Sequence, residues 1–138
     1  MCNKPFQVKF TLLIFICILS SGYESFAKES KTIERTLVDT ANDFNKQLPM
    51  TLDNETRLDT IIAYKKTLRY KFTLNTNKDQ FDYSGVKKIK EPELINNICT
   101  NKNMSILLNK GVNYIYIYYD KSGVELIRFD IDRSKCSK

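Results

Sequence analysis

Cys99 and Cys136 carry the most distinctive chemistry in this sequence, since two thiols can hold a metal, cycle between redox states or close a covalent loop. Their setting narrows the choice. No C-x-x-C spacing is present to support a redox pair, and the chain contains no His, which removes the commonest transition-metal ligand. The same absence excludes Ser-His and Cys-His nucleophile pairs. A hydrolase built on two carboxylates needs only Asp and Glu, yet nothing in the spacing of the 16 acids singles out a pair. Only four glycines occur, scattered, so no phosphate-cradling loop is present. The expectation is a non-enzyme with no catalytic residues, no metal site and no cofactor.

The compartment follows from the first 27 residues. Lys4 and Lys9 precede an apolar run from Phe10 to Leu19, and Ser25 and Ala27 are the small residues that set cleavage after Ala27. Residues 1–27 therefore read as a secretory signal peptide, because the run is shorter than the roughly 20 apolar residues a membrane-spanning helix needs. Tyr23 and Phe26 leave an uncleaved inner-membrane anchor as the alternative. Cleavage leaves residues 28–138 as one domain, periplasmic or secreted. Cys2 and Cys17 depart with the signal, so Cys99 and Cys136 remain as an even pair in an oxidising compartment, where a disulfide is the default. It closes a loop of about 38 residues, for which chain entropy gives roughly 4 kcal/mol.

Charge argues against nucleic acid as a partner. The whole chain carries +6, and the exported part keeps 20 Lys and Arg against 15 acids, which is moderately basic. The densest cluster, Lys87, Lys88 and Lys90, reads as a solvated loop, with an anionic envelope surface or an acidic partner patch as the functional alternative.

The elements that position these residues alternate clearly. Ile33, Leu37, Ala41, Phe44 and Leu48 recur at helical spacing up to Pro49. Leu58 to Ala63 and Thr67 to Asn75 read as two strands of a hairpin turning at Tyr64-Lys65-Lys66. Thr76 to Lys90 reads as an exposed connection, and Glu91-Pro92-Glu93 opens a helix whose Leu94, Ile95, Ile98 and Cys99 face inward. Met104, Leu107 and Leu108 mark a second short helix with Gly111 at its C-cap. Val112 to Tyr119 and Val124 to Asp132 form a second hairpin around Asp120-Lys121-Ser122-Gly123. Ile115 and Ile117 are expected on the face of Ile127, which leaves Tyr114, Tyr116 and Tyr118 as a stripe on the other face. The fold class expected is an α+β two-layer sandwich, a four-stranded antiparallel sheet with helices packed on one face, in the order α-β-β-α-β-β.

Asn45-Lys46-Gln47-Leu48-Pro49, Cys99, Gly111-Val112-Asn113-Tyr114, Gly123 and Asp132-Arg133-Ser134-Lys135-Cys136 fall in an order that resembles the AspS-type pilotins of type II secretion. Thr56-Arg57-Leu58-Asp59 resembles a wider set of small exported proteins of unknown function with the same skeleton. The resemblance implies a sheet backed by helices, a Cys99–Cys136 disulfide and a groove for a helix of the secretin subunit, without catalysis. Such a pilotin begins its mature chain with an acylated Cys, and Tyr23 stands here instead, so no lipid anchor is expected. The leading functional reading is a non-catalytic exported binding module that holds a peptide or helix of an envelope protein. Tyr114, Tyr116 and Tyr118 are its candidate contact residues, because tyrosine offers large contact area with a polar handle. The alternative is an inhibitor or immunity protein that neutralises a periplasmic toxin or lytic enzyme.

Overall fold

The computed structural model describes residues 28–136, and the signal-peptide reading of residues 1–27 falls outside them. Helix α1 covers residues 28–45 and buries Ile33, Leu37 and Ala41. Phe44, expected on the same stripe, is 57% exposed, because the helix ends one residue later and the chain turns away toward the sheet. Strands β1 (Met50–Thr51), β2 (Thr56–Tyr64) and β3 (Thr67–Leu74) follow. Helices α2 (Tyr83–Thr100) and α3 (Lys102–Asn109) come next, then strands β4 (Asn113–Tyr119) and β5 (Glu125–Ile131), and a 3-10 turn at Arg133–Cys136.

The sheet has five strands in the order β1-β2-β3-β4-β5, not four, and it is mixed. β3 and β4 run parallel, with Leu68 beside Tyr114 and Phe72 beside Tyr118, while the other neighbours are antiparallel. Both corrections have a physical source. A helical crossover carries the chain back to the end of the sheet where β3 began, which makes the next strand parallel to it. The two-residue β1 is too short to register as a hydrophobic pattern. The observed order is therefore α-β-β-β-α-α-β-β.

α2 starts eight residues earlier than Glu91, so the lysine cluster lies on a helix and not in a loop. The Asp82 carboxylate accepts a hydrogen bond from the Gly85 N–H at 3.0 Å and caps the first turn. A Cβ at Gly85 would clash with that carboxylate. Pro92 consequently sits in the helix interior. α3 ends in a Schellman motif, with Gly111 N–H bonding the Leu108 carbonyl and Val112 N–H bonding that of Leu107. Gly111 meets the motif's demand for a left-handed residue with φ of 81°.

One core joins the layers: Leu37 and Ala41 from α1, Ile98 from α2 and Leu108 from α3 pack with Leu68, Tyr114 and Ile131 of the sheet. Asn45, at the end of α1, pairs with the exposed edge of β2 beyond the reach of β1. Its side chain donates to the Ile61 carbonyl at 2.7 Å and accepts from the Ile61 N–H at 2.8 Å. Asn45→Ala is expected to cost about 1–3 kcal/mol in urea unfolding, since two half-buried backbone groups lose their partner. At the far hairpin, buried Asp120 accepts from the Ser122 and Val124 N–H groups at 2.8 and 2.9 Å, and from Lys78 N–H. Those bonds, Val124's foremost, hold its carboxyl below the usual range.

Candidate functional site

The tyrosine stripe of β4 lies on the helix-covered face. Tyr114 is 1% exposed, and Tyr116 and Tyr118 are half-buried, so the expectation that Ile115 and Ile117 share the face of Ile127 is reversed. A bulge between Tyr118 and Tyr119 is responsible: Tyr118 opposes Ile127 and Tyr119 opposes Glu125, which places Ile117 opposite Arg128. One residue of slip exchanges the two faces of a strand. Tyr114 is thereby removed as a partner contact, and its hydroxyl donates to the Met104 carbonyl at 3.2 Å.

Under α2 the aromatic rings form a ladder along β3 and β4. Tyr70 stacks on Tyr116 at 4.9 Å between centroids, Phe72 stacks on Tyr118 at 4.7 Å, and Phe129 meets Tyr118 edge-on at 6.0 Å. Burial, assisted by the negative charge of Glu93, pushes the Tyr118 phenol up to about 12. Burial also raises Tyr116, with Tyr70, Tyr118 and Tyr114 adding to it. The unfolded phenol titrates near pH 10, so the folded state holds the extra protons above that pH. The stability that Tyr118 contributes is therefore complete below about pH 10 and is lost as pH rises through about 12. Denaturant midpoints measured across that interval should fall, and Tyr118→Phe should make the fall shallower.

Tyr118 reaches the end of the ladder and lines an apolar cleft of about 380 Å³ with Thr56, Leu74, Val86 and Ile89. Glu55, Asp82 and Lys90 rim it, and Ile89 is 68% exposed. The first turns of α2 make one wall and the ends of β2, β3 and β4 the other. Val86 and Ile89 were hidden in sequence because the flanking lysines break the apolar period; Asp82, a favoured N-cap residue, is the signal for the helix start.

On the other side of α2 the Cys99–Cys136 disulfide, with 5.6 Å between Cα atoms, ties the helix to the 3-10 turn after β5. Lys135 reinforces it through an ion pair to Glu91 at 3.1 Å. Among the described residues, no group of three or more His, Cys, Asp or Glu side chains could hold a metal ion, and no helix is long and apolar enough to cross a membrane. The half-buried Asp59 is engaged with Arg57 and with the Thr73 hydroxyl at 2.6 Å. That acid serves the sheet.

The assembled shape has known counterparts. It is similar to a predicted secreted protein of Pseudomonas aeruginosa, with a TM-score of 0.68 and 13% identity over 78% of this chain and 95% of that one. The pilotin EpsS of the Vibrio vulnificus type 2 secretion system matches with a TM-score of 0.67 and 13% identity, over 81% of this chain and 98% of its own. The type II secretion pilotin AspS of Vibrio cholerae matches with a TM-score of 0.62 and 15% identity, over 80% and 97%. At these identities the likeness is one of fold. No curated protein matches the sequence. A family profile described as a domain of unknown function, DUF8479, matches residues 31–127, and the chain belongs to that family.

Proposed function

We propose that this chain is a non-catalytic binding module of the cell envelope that holds a helix or peptide of another envelope protein. Export removes residues 1–27 after Ala27, and residues 28–138 act as one periplasmic or secreted domain without a lipid anchor. The observation that carries this reading is the pilotin fold, matched over 98% of the length of EpsS. The cleft beside α2 supports it, because Tyr118, Val86 and exposed Ile89 offer an apolar slot with a phenol at its floor. Of the three tyrosines, Tyr118 is the one placed to touch a guest. Tyr116 supports it from the next rung of the ladder.

A photo-crosslinking amino acid at position 89 of the full chain, expressed in its own host, tests this. The expected result is one discrete adduct with an envelope protein, absent when the crosslinker is placed at Arg69 on the open face of the sheet. No adduct at position 89, or equal adducts at both, overturns the reading. Intact mass of the same protein reports its processing: an N-terminus at Lys28 supports export with cleavage, and a retained Met1 overturns it.

A further inference from the structure

We infer that the trough on the far side of α2, above the Cys99–Cys136 disulfide, is a second docking groove that takes an acidic amphipathic helix of the partner. It rests on the binding-module reading and names a different surface from the cleft at Tyr118. The trough has a volume of about 700 Å³ and is lined by Lys87, Lys88, Pro92, Ile95, Lys135 and the disulfide. Lys87 to Cys99 spans about 18 Å of helix at 1.5 Å per residue, the length of a three-turn guest. Its floor is apolar: Pro92 is exposed, and Ile95 and the two cysteines are half-buried.

Charge complementarity sets the identity of the guest. The one carboxylate among the lining residues, Glu91, is neutralised by Lys135 at 3.1 Å. Lys87 and Lys88 pair with no carboxylate among the described residues, although Lys87 also lies 5.7 Å from the centroid of the Tyr83 ring. The rim thus keeps two uncompensated ammonium groups above an apolar floor. An amphipathic helix with leucines on one face and glutamates on its flanks matches both the apolar floor and the cationic rim. The cleft at Tyr118 carries Glu55 and Asp82 against Lys90, itself paired with Glu93, and so lacks a cationic rim.

The disulfide is part of the groove. Lys135 and Cys136 belong to a four-residue 3-10 turn that α2 holds through the S–S bond and the Glu91 ion pair, so reduction frees that wall. Binding is therefore coupled to an oxidising compartment.

The test titrates the oxidised full chain, as its host processes it, against two fluorescent 18-residue peptides. One carries Leu and Glu, the other Leu and Lys at the same positions. The Glu peptide should bind at least tenfold tighter, and K87E/K88E, which alters only exposed side chains, should abolish or reverse the preference. Reduction, at a temperature where circular dichroism confirms the fold, should weaken the Glu peptide tenfold. Equal affinity for the two peptides, no effect of K87E/K88E, or stronger binding to phosphatidylglycerol vesicles than to the Glu peptide overturns the groove. A position-89 adduct that survives such a result leaves the binding-module reading standing through the Tyr118 cleft, and absence of that adduct with the Glu preference intact overturns the cleft as the guest's site and leaves the groove.

Discussion

The double variant Cys99→Ser/Cys136→Ser should lose about 4 kcal/mol of unfolding free energy, because the cross-link removes the closure entropy of a loop of about 38 residues from the unfolded chain. The sequence separation is 37, and the bridge joins α2 to the turn after β5. Small domains hold only about 5–15 kcal/mol in total, so the midpoint of thermal unfolding should drop by roughly 20 °C. Guanidinium unfolding of oxidised and Ser-substituted protein measures this directly. A loss under about 1 kcal/mol would mean that the ion pair between Lys135 and Glu91 and the packing of β5 hold the C-terminal turn without the bridge.

The second large effect separates two isoleucines of the same helix. Ile98 is 1% exposed and packs between the sheet and α3, so Ile98→Ala should cost about 3–4 kcal/mol, the transfer loss of three methylene-sized groups plus a cavity that close packing cannot collapse. Ile89 is 68% exposed, and Ile89→Ala should change stability by no more than about 0.5 kcal/mol. Ile98→Val, at about 1 kcal/mol, calibrates the site. Equal costs at positions 89 and 98 would contradict the orientation of α2 and with it both grooves that flank the helix.

Much of this arrangement was legible from residue pattern. The alternation of Thr67 to Asn75 and of Val124 to Asp132 places strands where β3 and β5 lie, since one buried and one wetted face impose a period of two. β4 resisted the same reading. Its tyrosines and isoleucines are both large and partly apolar, so either set could face the helices, and the bulge at Leu126 of β5 decided for the tyrosines. The first half of α2 was lost for a different reason. Tyr83 to Lys90 puts lysines between its apolar residues, because this stretch lies along two surface grooves and has no continuous face to bury. Of the candidate site, the disulfide pair was visible as an even count of thiols. Tyr118 was named together with Tyr114, although 1% exposure rules out the latter as a contact.

The sequence by itself determined the α1 stripe, the β2–β3 and β4–β5 hairpins, the second half of α2, α3, the candidate thiol pair and the lack of histidine, because these depend on neighbours in the chain and on composition. Only the tertiary structure decided that β3 and β4 are parallel, that the tyrosines lie inside, and that lysines expected in a loop rim a groove. Those outcomes depend on how a crossover returns and on one bulged residue, and both are settled by packing between segments far apart in the chain.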